Sequence, residues 1–305
     1  MTSGPPRDLA ASVRAKLMQL ARAKGEDFQF VLTRYVIERF LYRLGESPHG
    51  RLFILKGAML FPCWGMTSHR TTRDVDLLGR GESSLSRLQG VIRAVCLHAV
   101  PEDGLRFHAE SVTASRIKPD QDYQGVRVEC EVTLGKARIP LQIDIGFGDS
   151  VSPRAVQIRY PTLLDFPAPV VKAYRRETVI AEKFHALVHL GMANSRMKDL
   201  FDIWVLSREF EFDGRSLAKA IASTFRRRTT HLSGQTPVAL TEEFADDPLK
   251  SQQWTAFLRR HHLQDPPLTL SQIVPELAQF LLPPSRAAGQ ATDFARSWTP
   301  PGPWR

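Results

Sequence analysis

The chain predicts an α+β fold with an α/β core: a small mixed sheet flanked by helices, followed by a helical domain. Three observations carry this. Residues 126–145 alternate apolar and polar on both sides of a Gly135-Lys136-Ala137 turn, the period-two pattern of a half-buried hairpin. Two short apolar segments, Leu52-Phe53-Ile54-Leu55 and Asp74-Val75-Asp76-Leu77, have strand length and strand composition. Beyond Val171 the period becomes helical, with Ile180, Phe184, Leu187 and Val188 at i, i+4, i+7 and i+8.

Taken in order, residues from Leu9 to Leu44 read as two helices. Leu17, Leu20 and Ala21 form one apolar stripe; Phe30, Val31, Tyr35 and Ile37–Phe40 form the next. The first strand ends at Lys56-Gly57, and a helical stretch over Ala58–Trp64 leads to the Asp-x-Asp strand. A helix is expected over Ser84–Ala99. In the hairpin Val126, Val128, Cys130, Val132 and Leu134 alternate with Arg127, Glu129, Glu131 and Thr133, and Ile139, Leu141, Ile143 and Ile145 continue the pattern. Pro153, Pro161, Pro167 and Pro169 then mark a boundary. Gly191 is a natural helix stop. Asn194 or Ser195 is positioned to cap a helix whose apolar stripe is Met197, Leu200, Phe201 and Trp204. Further helices are expected near Leu217–Phe225, Gln253–Arg260 and Ser271–Leu282. This divides the chain into an N-terminal region with the sheet core (1–160), a helical domain (161–282) and a mobile tail rich in Pro, Gly, Ser and Arg (283–305).

The formal net charge of +9 favours a polyanionic partner, nucleic acid first. Cys63, Cys96 and Cys130 are odd in number and contain no C-x-x-C, which suits reduced thiols in a cytoplasmic protein. No apolar run reaches the length of a membrane span, so no membrane partner is expected.

The chemistry-bearing residues centre on Asp74 and Asp76. In an extended segment both point the same way, roughly 7 Å apart between Cα atoms, while Val75 and Leu77 face the core. Two like charges this close call for a cation, and Mg²⁺ carrying a nucleoside triphosphate is the natural one. The plain alternative is a wet strand face, the commoner meaning of a bare Asp-x-Asp. Asp144 falls on the polar face of its strand between two isoleucines and joins the pair if the strands are neighbours; otherwise it is a solvated acid. Lys183 borders an apolar helical stripe, so its stem packs and its ammonium is directed to an edge or cleft. Asp199 and Asp202 share one helix face, although Lys198–Asp202 also reads as an ordinary surface pair. His185 and His189 have the i, i+4 spacing of a zinc site without an H-E-x-x-H pattern and read as helix histidines. Arg226-Arg227-Arg228 and Arg259-Arg260-His261-His262 are solvated faces or, with a polyanionic acceptor, phosphate contacts.

Together these pieces resemble the AbiEii/AbiGii toxin family, nucleotidyltransferases of the DNA polymerase β-like superfamily that include MenT-like toxins. The motifs are Leu55-Lys56-Gly57-Ala58, Arg70-Thr71-Thr72-Arg73-Asp74-Val75-Asp76-Leu77, Ile143-Asp144-Ile145, Ala181-Glu182-Lys183-Phe184 and Asn194-Ser195-Arg196-Met197-Lys198-Asp199-Leu200-Phe201-Asp202. They cover roughly residues 50 to 210, and it is their order and spacing that make the resemblance specific. The resemblance implies a polymerase β-like domain, with Asp74, Asp76 and Asp144 as metal ligands and Asp74, Asp76, Asp144, Lys183 and Asp199 as the catalytic set. It implies nucleotide contacts from Lys56, Gly57, Ala58, Arg73, Lys183, Asn194, Arg196 and Asp202. Ala58 departs from the serine many relatives carry; it removes a hydroxyl but keeps the backbone donors of the turn. The implied activity is transfer of a nucleotide from NTP, with Mg²⁺ or Mn²⁺, to an RNA acceptor such as the tRNA 3′ end, within a toxin–antitoxin or phage-defence pair with a cognate antitoxin. Transfer to a protein hydroxyl, a glycosyltransferase built on Asp-x-Asp, and a non-catalytic basic RNA-binding protein are the alternatives.

Overall fold

The computed structural model describes residues 8–66, 72–117, 125–263 and 268–305. The chain divides into two compact units, one of residues 1–148 and 156–173, the other of residues 149–155 and 174–305. The expected boundary at 160 therefore moves. Residues 156–173 stay with the sheet because strands at 156–159 and 170–173 pair within it, and 149–155 join the helical unit.

The first unit opens with α1 (Leu9–Lys24), whose start is capped by Asp8 and whose end is stopped by Gly25 in the left-handed region, and α2 (Phe28–Glu46), capped by Asp27. The strands follow as β1 (Phe53–Lys56), β2 (Asp74–Gly79), β3 (Leu105–Phe107), β4 (Thr113–Arg116), β5 (Val126–Leu134), β6 (Ala137–Phe147), β7 (Val156–Arg159) and β8 (Val170–Ala173), with α3 (Leu85–Cys96) between β2 and β3. They make one mixed sheet in the order β3-β5-β6-β2-β1-β8-β7, with β4 also on β5. β2 runs parallel to β6 and β1 parallel to β8; the other pairs are antiparallel. The hairpin turns at Gly135 (φ +59°) as its alternation predicts. The expected helix over Ala58–Trp64 is instead a 3-10 helix, Gly57–Trp64, which contains Pro62; proline removes an α-type hydrogen bond, so a tighter, shorter form is adopted.

α2 is buried along most of its length, further than its apolar stripe suggests, because Arg39 and Arg43 are buried with it. Both bind the buried Asp103: Arg43 through two nitrogens at 2.6 and 3.1 Å, Arg39 through Nε at 3.2 Å. Glu38 accepts a bond from the Leu163 amide at 2.7 Å. Buried charges survive only when paired and hydrogen-bonded in this way. The three cysteines are free, with Cys96 and Cys130 bringing their sulfurs to 3.9 Å.

The second unit contains α4 (Arg176–Leu190), α5 (Met197–Glu209), β9 (Phe212–Asp213), α6 (Gly214–Arg227), α7 (Glu242–Asp246), α8 (Pro248–Arg260), α9 (Leu270–Gln290) and β10 (Ser297–Trp298). Neither Asn194 nor Ser195 caps α5. Arg196 occupies the cap position, and Asn194 Oδ1 accepts the Arg196 amide in a turn one step earlier. The expectation of a mobile tail from 283 is overturned. α9 runs through Pro283 and Pro284 to Gln290, and β10 pairs with β9. Trp298 donates to the Ser207 carbonyl at 2.6 Å, Trp304 to the Phe280 carbonyl at 2.9 Å, and both indoles are buried against Phe280. A proline inside a helix costs about 3 kcal/mol. Each large apolar side chain buried contributes about 1.5–3 kcal/mol, and it is the burial of Trp298 and Trp304 that fixes a segment whose composition suggested disorder. Among the described residues no helix is long and apolar enough to cross a membrane.

Candidate active site

The site residues read from the sequence fall into two groups, one in each unit. In the first unit the sheet register lines them up. Lys56 on β1 stands opposite Asp76 on β2, Asp76 opposite Asp144 on β6, and Asp144 opposite Arg127 on β5. Residues in register share a face, and neighbouring strands lie about 4.8 Å apart. The four side chains therefore form one cross-strand row, with a cation at each end and the two acids between. One step along, Asp74 stands opposite Gln142. Val75, Leu77, Ile143 and Ile145, on the opposite face, are buried and hold the strands in this register. Asp74, Asp76 and Asp144 are only partly buried, so the row reaches solvent.

Arg127 grips Asp144 in a two-point fork, Nε to Oδ1 and Nη2 to Oδ2, both at 2.8 Å. Gln142 Nε2 lies 3.5 Å from each oxygen. Arg127 is a residue the chemical reading missed, although the signal was present: it stands as far before the Gly135–Lys136 turn as Asp144 stands after it. The Lys56-Gly57 turn meets the same row. Gly57 has φ +73°, and a Cβ there would overlap the Asp76 carboxylate. Only glycine fits so close an approach in that backbone conformation. Ala58 is buried and Arg73 exposed, while Arg70 and Thr71 lie outside the described residues. Among the described residues no three His, Cys, Asp or Glu side chains are arranged to hold a metal ion.

In the second unit Lys183 on α4 reaches two acids of α5, its Nζ 2.7 Å from Asp199 Oδ1 and 2.7 Å from Asp202 Oδ2. Asp199 Oδ2 accepts from Arg196 Nε at 2.6 Å. Both acids have no exposed side-chain surface, and Lys183 retains 11%. Asp202 is thus a buried partner of Lys183. Burial alone would raise the Asp199 carboxyl, but Lys183 and Arg196 outweigh it and hold that group below the ordinary carboxylate range. Asn194 is fully buried. Its carbonyl accepts from Lys250 Nζ at 3.0 Å, a contact the sequence did not suggest, and its Nδ2 has no partner among the described residues. The stacked His185 and His189 are not set as a metal pair: His185 Nε2 bonds Thr230, and burial, then Arg228 and His189, lower its pKa to about 4.

The family pattern described as "Nucleotidyl transferase AbiEii toxin, Type IV TA system" matches residues 39–284, well over half of the chain. The chain belongs to the AbiEii nucleotidyltransferase toxin family. Its fold is similar to that of JHP933 from Helicobacter pylori, at 16% identity and a TM-score of 0.50, covering 87% of this chain and 94% of that one. A second H. pylori structure, described as that of a candidate nucleotidyltransferase, aligns at 15% identity and a TM-score of 0.46, covering 87% of this chain and 96% of that one. No curated protein matches the sequence. The central mixed sheet flanked by helices is the nucleotidyltransferase architecture expected from the motifs.

Proposed function

We propose that this AbiEii-family member transfers a nucleotide from NTP to an RNA acceptor, the tRNA 3′ end being the leading candidate, and so acts in the cytoplasm as a translation-blocking toxin held in check by a cognate antitoxin. The observation that carries the reading is the cross-strand row Lys56–Asp76–Asp144–Arg127, with Asp74 beside it and Gly57 pressed against Asp76. The donor set suits Mg²⁺. Hard carboxylate oxygens are its ligands, and it is commonly bound through one or two carboxylates with substrate phosphates completing the sphere. Asp74 and Asp76 would hold it, with Mn²⁺ as a substitute; Asp144 has two oxygens already engaged by Arg127. When bound, the ion neutralises charge on the triphosphate.

The chain's own groups supply the rest. The backbone N–H groups at the Gly57 turn and the Lys56 ammonium receive phosphate oxygens. The acceptor hydroxyl attacks the α-phosphorus; a new P–O bond forms as the bond to the bridging oxygen breaks, and pyrophosphate leaves. Asp144 keeps lone pairs outside the Arg127 fork and takes the hydroxyl proton there. Lys183, Asp199, Arg196, Asp202 and Asn194 fix the start of α5 relative to α4, a positioning role.

The test incubates the full chain with Mg²⁺, each of four α-labelled NTPs and total tRNA, beside Asp76→Asn. Label entering RNA with the parent and not with the variant is the expected result. Label confined to the protein would move the acceptor to a protein hydroxyl, and RNA labelling that survives Asp76→Asn would remove the row from the chemistry.

A further inference from the structure

Resting on that reading, we propose that the second unit carries a seat for one unpaired nucleotide of the RNA acceptor, in a cavity between α6 and the end of α9. The cavity measures about 500 Å³, within the range that encloses a single small ligand. Its floor is apolar, built from Ala218, Ala222 and Phe225 of α6 with Leu232 and Phe294. Its rim is cationic. Arg215, Lys219, Ala222 and Arg226 follow one another at i, i+4, i+7 and i+11, so they share one stripe of α6. The opposite stripe of that helix, with Leu217 and Ile221, is buried in the unit.

Among the described residues the rim carries one acid, Asp293, and Arg215 already holds it through Nε at 2.8 Å and Nη2 at 2.7 Å. That fork ties the segment after α9 to α6 and leaves the cavity lined by Lys219, Arg226 and His231. All three are exposed, and among the described residues no ion pair or hydrogen bond is made by their side chains. Lys219 and Arg226 stand about 10 Å apart along the helix axis, seven residues at the α-helical rise. Phe225 is buried beneath the floor, but the half-buried ring of Phe294 suits a flat base, and cations on either side suit the phosphates that flank it. An acidic peptide would use the rim but has less use for a floor of single-nucleotide size, and the chain's net charge of +9 adds long-range attraction for a polyanion.

The full-length protein is titrated into a fluorescein-labelled single-stranded RNA of roughly 12 nucleotides, and anisotropy is read between about 50 and 200 mM salt. Lys219→Gln/Arg226→Gln is expected to weaken binding about tenfold and to lower the slope of log affinity against log salt by about 1.4, two phosphate contacts for a single strand. Ala222→Trp, which fills the floor, is expected to weaken binding about tenfold with the slope unchanged, as loss of one stacked base does. Lys136→Gln on the β5–β6 turn serves as the control and binds like the parent. The proposal is overturned if the double variant keeps the parent's affinity and slope, if Ala222→Trp binds normally, or if a poly-glutamate peptide binds through Lys219 and Arg226 in place of RNA. RNA labelling that depends on Asp76 but ignores all three cavity substitutions would remove this seat and leave the proposed chemistry standing.

Discussion

The acids of the two units are held in opposite ways. Asp74, Asp76 and Asp144 stand on a strand face that reaches solvent, with cations at the ends of the row. Asp199 and Asp202 have no exposed surface and share one lysine. Motif similarity treats all five as parts of one site, whereas burial separates them. A carboxylate that keeps contact with water can exchange that water for a metal or a phosphate-bearing ligand. A fully buried carboxylate clamped by Lys183 has exchanged its water for protein and is part of what holds α4 and α5 together.

The sharpest way to break this contrast is Lys183→Met, which leaves two carboxylates buried without their shared cation. It should cost about 3–5 kcal/mol of unfolding free energy in urea titration; a cost well under 1 kcal/mol would mean the network is not structural. The same network sets a pH limit. Because the folded Asp199 carboxyl lies below its unfolded value, its contribution is fully present above the unfolded pKa, near 4, and disappears as pH falls through the folded one. Acid unfolding followed by circular dichroism should therefore set in below about pH 4 in the parent, and at higher pH in Lys183→Met.

Asp76→Asn tests the open side of the comparison. Nucleotide transfer should fall on the order of 10²–10³-fold, while the urea midpoint stays at or above the parent's because one of two neighbouring like charges has gone. Gly57→Ala should affect both quantities: a left-handed φ and overlap with Asp76 should cost about 1–3 kcal/mol, with transfer reduced as the carboxylate is displaced. The smallest effect belongs to Arg127→Gln. Its side chain is 38% exposed, so losing the fork should cost about 1 kcal/mol or less; a larger loss in urea would place Asp144 with the structural acids.

Much of this was legible along the chain. The hairpin alternation from Val126 to Ile145 announced β5 and β6 almost to the residue, because a sheet with one buried face writes its period into the order of side chains. The Asp74/Asp76 pair on one face followed from the same period. Asp144 beside Asp76 was only conditional, since nothing in the local pattern says which strands are neighbours; the parallel pairing of β2 with β6 supplies that. α9 was cut short at Leu282 because proline and composition are local signals, whereas the pockets that bury Trp298 and Trp304 are built from residues far away in sequence. The buried partner of Arg39 and Arg43, Asp103, lies some sixty residues on, out of reach of any local pattern.

Periodicity, turn residues and motif order were enough to specify the α+β class, the hairpin and the set of chemically capable side chains, since each depends on neighbours a few residues apart. Which acids keep water and which give it up, and which cations they meet, depends on strand order and helix packing. Those are set by contacts between segments distant along the chain. Burial changes the free energy of a charge by several kcal/mol, so it is this long-range arrangement that leaves Asp76 in reach of water and Asp202 without it.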